Sequence, residues 1–108
     1  MDNLQITEKK MENFVLINIE GSLNSYTYTD FQDKLYALIE QTNVCMDMSK
    51  VTNISSAGLG VLMSAMETGE EKGFTLYILN PSDIVKMAID STGFGEMFKI
   101  INSTDEIK

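Results

Sequence analysis

The sequence contains no histidine and no arginine, and each absence excludes a kind of chemistry. Without histidine, the chain lacks the side chain that most often serves as a general base and as a nitrogen ligand of metals. Without arginine, it can supply neither a bidentate phosphate clamp nor an arginine finger. Its one cysteine cannot complete a zinc-binding set or an internal disulfide. We therefore expect a protein that holds no metal and no cofactor, and these absences also fit a chain that is not an enzyme.

Long apolar runs are also missing, since none approaches the roughly 20 residues that a membrane helix requires. The first residues, 1–5, have neither the basic start nor the apolar core of a secretory signal. We expect a cytoplasmic protein without membrane insertion. Basic residues are scarce as well, because eight lysines face sixteen acidic residues and leave a net charge of −8. That charge repels a phosphate backbone, so direct binding to nucleic acid is not expected.

An alternation of strand and helix patterns runs through the 108 residues, which are enough for a single domain, 1–108. Strands separated by a helix are expected to be parallel, whereas the first two should form an antiparallel hairpin. The predicted fold is α/β, with a mixed four- to five-stranded sheet packed against about four helices. The predicted strands are 4–7, 14–19, 44–48, 74–79 and 99–101, with a polar turn at 8–12, and the predicted helices are 26–41, 59–73, 81–93 and 94–97.

Local signals at the helix ends add further predictions. Thr27 and Asp30 resemble a capping pair, and Asn80 before Pro81 is typical of a helix start. A glycine is favoured just beyond a helix, so the second helix is expected to end by Gly73. The predicted core includes Cys45, Met46, Met48 and Met66, the helix residues Phe31, Leu35, Leu38 and Ile39, and Ile84, Val85, Ala88 and Ile89, whereas Glu67, Glu70 and Glu71 are expected to be exposed.

The functional signal lies between the apolar strand Val44–Met48 and the helical pattern that begins at Leu59. Two adjacent serines, Ser55 and Ser56, stand where the strand passes into the helix. A helix start offers unpaired backbone N–H groups and a partial positive charge, which stabilise a phosphate placed there. A serine hydroxyl at this point is suited to a covalent switch. Serine is also a common helix cap, so local pattern alone leaves both roles open.

Three blocks of the sequence resemble the STAS domain of anti-sigma factor antagonists. Residues 46–62 resemble the family signature, in which an Asp-Leu-Ser-x-Val strand end leads into an Asp-Ser-Ser/Ala/Thr-Gly-Leu-Gly turn. Residues 20–24 resemble the Gly-x-Leu-Asp segment that follows the second strand. Residues 85–100 resemble the closing helix, the Thr-Gly-Leu turn and the final Phe-x-Ile. The blocks stand in the family's order and cover nearly the whole chain.

This resemblance implies that Ser56 is the phosphorylated serine. Ser55 then occupies the position of the family's aspartate, and Asn24 replaces a second aspartate. Both changes remove an acidic group and put regulation by the standard kinase in question. The partner-binding surface that the resemblance implies consists of Asn24, Ser55, Ser56, Ala57, Gly58, Leu59 and Gly60.

The partners also follow from the resemblance. In bacteria, the unmodified antagonist would bind an anti-sigma factor with serine kinase activity, of the histidine-kinase-like ATPase fold, and so free a sigma factor. Phosphorylation would add a charge of roughly −1.5 to −2 to the interface, and a PP2C-type phosphatase would remove it. The chain itself is expected to be a monomer or a weak dimer.

Two alternatives remain. The chain could be a STAS interaction module of another signalling or lipid-transport system that is not regulated by phosphorylation, which the missing acidic groups at Ser55 and Asn24 favour slightly. It could also bind nucleotide weakly through 55–60 and have weak hydrolytic activity, although this loop lacks the Gly-Lys-Ser/Thr ending and a nearby lysine.

Three more residues near the serines have structural interpretations. Gly58 and Gly60 are each predicted to permit tight packing or an unusual backbone angle, and they would also let a partner's backbone approach. Asp47, at the predicted end of its strand, is either a solvated loop carboxylate or a hydrogen-bond acceptor that braces the serine turn, and the second role is favoured.

Overall fold

A five-stranded mixed sheet carries three α-helices on one of its faces. The computed structural model describes residues 4–93 and 95–107. The strands lie side by side in sequence order, with the first pair antiparallel and the others parallel. The elements are β1 (Leu4–Lys10), β2 (Val15–Leu23), α1 (Tyr28–Ile39), β3 (Val44–Ile54), α2 (Ser56–Lys72), β4 (Leu76–Leu79), α3 (Asp83–Ser91) and β5 (Lys99–Ile101), with 3-10 helices at Gly95–Met97 and Thr104–Glu106. The predicted α/β fold is confirmed.

The fourth predicted helix, 94–97, is a 3-10 helix of three residues, Gly95–Met97. Phe94, with which the prediction began, lies outside the described residues. Within residues 4–93 and 95–107, no helix is long and apolar enough to cross a membrane. The same residues hold no group of three or more histidine, cysteine or acidic side chains able to bind a metal.

The main core lies between the sheet and the helices. Alternate residues of β2 and β3 face it, and the helices bury one stripe each. The predicted core positions Met46, Met48 and Met66 are buried, as are Phe31, Leu35, Ile39, Val85 and Ile89.

Three predicted core residues are less buried than expected. Leu38 and Ala88 are only half-buried, and Ile84 is 40% exposed. The prediction for Ile84 is wrong because α3 is short and buries only the narrow stripe of Val85 and Ile89, which lie one turn apart.

The opposite face of the sheet carries a smaller apolar cluster that buries Phe14, Cys45, Leu79 and Ile101. The predicted core position of Cys45 is confirmed. Burial, together with a smaller effect of the nearby Asp47 charge, raises the pKa of the Cys45 thiol to about 12. The thiol is therefore neutral at physiological pH, and neutral thiols are poor nucleophiles.

Three strands are longer than predicted, and the second of them, β2, continues to Leu23. β1 continues to Lys10, which pairs with Val15, so the predicted turn at 8–12 is wrong and the hairpin closes beyond it. β3 continues to Ile54. Its pairing with β4 ends at Asp47, and beyond that point it pairs only with β2, with Leu23 opposite Ile54. Because this half of β3 is paired on one side alone, its sequence is mostly polar and does not show the apolar pattern of a central strand.

The helix ends correct the capping predictions in part. Thr27 precedes α1 but makes no side-chain capping bond, because its hydroxyl donates to the Ser22 carbonyl at 2.7 Å. Asn80 adopts a positive φ of 47° and is not the cap of α3, which is preceded by Ser82. The end of α2 matches the prediction, since Gly73 follows Lys72 in a left-handed conformation with φ 85°.

Candidate functional site

The end of β2 and the start of α2 meet at one edge of the sheet. Because β2 and β3 are parallel, their carboxyl ends lie together, and the last pair of residues in register is Leu23 and Ile54. One residue further, the backbone N–H of Ser55 donates to the carbonyl oxygen of Leu23 at 2.8 Å. The structure therefore brings the Asn24 loop and the serine turn to the same edge, where binding sites of parallel sheets commonly form.

Ser55 is the N-cap of α2. Its backbone is extended, with φ −95° and ψ 175°, and its hydroxyl oxygen accepts from the N–H of Gly58 at 3.4 Å. The Ser55 carbonyl accepts from the N–H of Leu59 at 3.0 Å, which starts the helical hydrogen bonding. The capping role that the sequence left open between two serines thus belongs to Ser55.

Ser56 is the first residue of α2, and its side chain is exposed. Its hydroxyl makes no hydrogen bond within the described part of the chain. The backbone N–H groups of Ser56 and Ala57 precede the first intrahelical bond, and no acidic residue lies in the first turn. A phosphate on Ser56 would therefore lie at a helix start with unpaired donors and no neighbouring negative side chain in that turn.

Asn24 organises the loop beside the serines. Its side-chain oxygen accepts from the N–H groups of Tyr26 at 2.8 Å and Thr27 at 3.2 Å. Its side-chain nitrogen donates to the Ser22 hydroxyl at 3.2 Å. The Asn24 backbone carbonyl accepts from the N–H of Tyr28, the first residue of α1, at 2.9 Å. Asn24 therefore fixes the turn that joins β2 to α1.

The two glycines of the turn differ in their surroundings. Gly58 is buried, and a Cβ atom there would lie 3.0 Å from Ile54 Cγ1 and 3.2 Å from the Leu23 carbonyl oxygen. Tight packing is confirmed for Gly58. Gly60 is exposed, has no positive φ, and would meet nothing within 4 Å, so the structural prediction for Gly60 is wrong. Gly60 lies one helical turn after Ser56 on the same face, where it leaves the approach to that hydroxyl open.

The remaining predicted binding residues, Ala57 and Leu59, are half-buried, and Leu59 packs against the main core. Asp47 does not brace the serine turn, and that prediction is wrong. It lies inside β3, where its Oδ1 accepts from the Ser49 N–H at 3.0 Å and the Ser49 hydroxyl at 2.7 Å. The extension of β3 to Ile54 separates Asp47 from the serines. Asp47 instead lines an open pocket of about 350 Å³, together with residues of β1 and β2.

The sequence analysis did not select Tyr26 as a candidate site residue, but Tyr26 lies in the loop beside the serine turn and is 88% exposed. The signal that could have found it is a charge pattern. In a chain of net charge −8, residues 21–29, 51–66 and 73–82 contain no charged side chain. These stretches include the ends of β2, β3 and β4 and the turns that follow them, so the carboxyl edge of the parallel strands is nearly free of charge.

The strand order, the helices on one face and the serine turn define a small α/β domain of the STAS type. The STAS domain model matches residues 5–107, and the chain belongs to the STAS domain family. It is similar to the anti-sigma-B factor antagonist of Bacillus subtilis (strain 168), with 27% identity over 99 residues, which covers 91% of each chain.

Two solved structures share the fold. The anti-sigma factor antagonist SpoIIAA in its unphosphorylated form superposes with a TM-score of 0.79 at 19% identity, covering 95% of this chain and 93% of that one. The Bacillus cell fate determinant SpoIIAA in the phosphorylated form gives a TM-score of 0.72 at 19% identity, covering 97% of this chain and 96% of that one. At this level of identity, the likeness establishes the fold.

Proposed function

We propose that this protein is an anti-sigma factor antagonist controlled by phosphorylation of Ser56. In the unmodified form it binds an anti-sigma factor with serine kinase activity in the bacterial cytoplasm, and binding releases a sigma factor. The observation that carries the proposal is the division of roles between neighbouring serines. Ser55 caps α2, which leaves the exposed Ser56 hydroxyl available to a kinase. The similarity to a named anti-sigma-B factor antagonist supports the same function.

The position of Ser56 explains how one phosphate would separate the partners without unfolding this chain. The phosphate adds a charge of roughly −1.5 to −2 at neutral pH. On this chain, the N–H groups and the dipole of α2 stabilise that charge. In the complex, the partner would cover the phosphate and remove its water, and an uncompensated buried charge is strongly unfavourable. SpoIIAA, which shares this fold, has been solved in both a phosphorylated and an unphosphorylated form, and this supports the proposal.

We infer from the residues around Ser56 that the kinase supplies the phosphoryl-transfer chemistry. Ser55 and Asn24 are neutral, so this chain offers no carboxylate beside the acceptor to hold a metal-bound nucleotide. The kinase must therefore supply the metal ligands and the group that orients the hydroxyl. Ser56 contributes only its exposed oxygen and its fixed position. A PP2C-type phosphatase would complete the cycle by removing the phosphate.

The test incubates the chain with a purified anti-sigma factor kinase from the same organism, together with ATP and magnesium. We expect one added phosphate, located on Ser56 by intact mass and peptide mapping. Ser55→Ala is the matched control and should still be modified, whereas Ser56→Ala should not. Phosphate on Ser55, or no phosphate with a kinase that binds the chain, would overturn the assignment.

The absence of phosphate transfer by a kinase that binds the chain would favour another function. A STAS module that binds its partner without phosphorylation is supported by one observation, the neutral Ser55 and Asn24 at positions where the family signature has aspartates. Stable binding of the same kinase with no phosphate transfer would identify this alternative.

A further inference from the structure

Tyr26 presents an aromatic ring to solvent at the edge that carries Ser56. Its side chain is 88% exposed, more than any other large apolar side chain in the described residues, and it makes no hydrogen bond there. Soluble proteins expose single apolar residues routinely, so exposure alone does not identify a function. Two further observations concern the backbone that holds this ring and the surface that surrounds it.

The backbone that carries Tyr26 is fixed by a network of hydrogen bonds. The Tyr26 N–H donates to the side-chain oxygen of Asn24 at 2.8 Å, and the Asn24 N–H donates to the Thr27 hydroxyl at 3.0 Å. That hydroxyl in turn donates to the carbonyl of Ser22, a buried residue of β2, at 2.7 Å. A preorganised loop loses little conformational entropy when its side chain is bound, and binding is stronger as a result.

The same loop is tied to the serine turn. Leu23, just before Asn24, accepts the N–H of Ser55 at 2.8 Å, so Tyr26 and Ser56 rise from adjoining points of one edge. A partner that covers the Ser56 hydroxyl and reaches toward β1 must pass over the Asn24 loop. Tyr26 is therefore continuous with the proposed phosphorylation-sensitive surface.

The surrounding surface has the composition of an interface centre. Residues 21–29 and 51–66 include both turns and contain no charged side chain, although the whole chain has a net charge of −8. The cores of protein interfaces are depleted in charged residues and enriched in tyrosine, which is also a frequent hot-spot residue. Charged residues border these stretches, with Glu20 and Asp30 beside the first and Lys50 and Glu67 beside the second, so a partner that covers only the stretches themselves buries no charge.

We propose that Tyr26 is the aromatic anchor of the interface with the kinase-type partner, held in place by Asn24. This inference rests on the proposed function and adds to it the source of the affinity of the unmodified form. The partner is expected to offer an uncharged, largely apolar pocket for the ring beside the contact with Ser56. Asn24 is a positioning residue, since it acts through the turn that presents Tyr26.

The test is calorimetry with a purified anti-sigma factor kinase from the same organism. Tyr26→Ala should weaken binding by at least about tenfold, as expected for a hot-spot side chain. Tyr26→Phe keeps the ring and should stay within about threefold of the wild type. Met97→Ala is the matched control, because Met97 is 50% exposed but lies next to β5, at the far edge of the sheet. It should leave the affinity unchanged.

Ionic strength gives a second readout. An interface without charged contacts should change its affinity by less than about threefold when the Debye length falls from about 10 Å to about 3 Å. A steep dependence on salt would contradict the uncharged interface.

The outcomes separate the two proposals. Wild-type affinity for Tyr26→Ala, with binding still abolished in Ser56→Asp, would overturn the anchor and leave the proposed function intact. An equal loss in Tyr26→Phe and Tyr26→Ala would assign the contact to the hydroxyl and overturn the aromatic anchor. A change in self-association, with unchanged affinity for the kinase, would assign Tyr26 to a contact between copies of this chain. No binding by the wild type would overturn both proposals.

Discussion

The backbone N–H of Ser55 donates a 2.8 Å hydrogen bond to the carbonyl oxygen of Leu23, the last residue of β2. The bond extends the pairing of β2 and β3 by one residue beyond Ile54. The start of α2 is therefore fixed by the sheet itself. Because Ser55 is held in this way and caps the helix, Ser56 takes an exposed position in the first turn.

The first prediction separates the two serines by their effect on stability. Ser55→Ala removes the N-cap and should lower the free energy of unfolding by about 1 kcal/mol, or less because the capping bond is long at 3.4 Å. Ser56→Ala removes an exposed hydroxyl and should change it by less than about 0.5 kcal/mol. Urea unfolding of the two variants measures the difference. A larger loss in Ser56→Ala than in Ser55→Ala would show that Ser56 is the cap.

The second prediction concerns Gly58 and Gly60, which lie two residues apart in the same helix. Gly60→Ala should raise the free energy of unfolding by about 0.5–1 kcal/mol, because alanine favours a helix and meets no atom within 4 Å. Gly58→Ala gains the same preference but places its Cβ 3.2 Å from the Leu23 carbonyl oxygen. Overpacking of this kind costs about 1–3 kcal/mol, so the net effect should be destabilising by about 1 kcal/mol.

Thermal or urea unfolding of both glycine variants provides the measurement, and each variant is the control for the other. The sign of the change should differ between them. If Gly58→Ala were as stable as Gly60→Ala, then the contact between the start of α2 and the end of β2 would not be as close as described. Gly60→Ala should also weaken partner binding, since its methyl group lies on the face of Ser56.

The third prediction concerns Cys45. Burial, with a smaller effect of the Asp47 charge, raises the pKa of its thiol from 9.0 to about 12. In the unfolded chain, the thiol loses its proton as the pH rises above about 9, whereas the folded chain keeps it. The unfolded state then binds fewer protons than the folded state, so stability should fall with rising pH between about 9 and 12. The contribution of Cys45 to stability is complete below that window.

Comparison with Cys45→Val isolates this effect from other groups that titrate at alkaline pH. The variant should lose less stability than the wild type between about pH 9 and pH 12. Parallel pH profiles of the two proteins would show that Cys45 is accessible to water and ionises in the folded state. Slow alkylation of native Cys45 at neutral pH is the corresponding chemical check.

The alternation of strands and helices could be predicted from the sequence because most elements bury an apolar stripe with a clear period. The second half of β3 could not, since residues 49–54 pair only with β2 and look like a polar loop. Thr27 and Asn80 were misassigned for a related reason. Their local sequences favour capping. However, the Thr27 hydroxyl donates to the Ser22 carbonyl, and Asn80 adopts a positive φ of 47° in the turn before α3.

The serine turn could be located from the sequence, because a strand pattern there changes directly into a helical one. The roles of the two serines could not be separated, since either hydroxyl satisfies a capping pattern and only the strand register decides which one does. The exposure of Tyr26 could not be predicted, because it is a property of the folded loop, although the uncharged stretch 21–29 is visible in the sequence. Contacts between the ends of β2 and β3 thus determine which serine caps α2, which the local sequence alone does not specify.

The most direct test of the central claim is the affinity of Ser56→Asp for the kinase-type partner, measured by calorimetry beside wild type and Ser56→Ala. Aspartate is compatible with a helix start, so the free energy of unfolding should change by less than about 1 kcal/mol, and circular dichroism should show a folded protein. At the interface the same charge must lose its water, and binding should weaken by at least about a hundredfold, whereas Ser56→Ala should bind as tightly as wild type. Equal affinities for Ser56→Asp and wild type would contradict the claim that Ser56 is the switch.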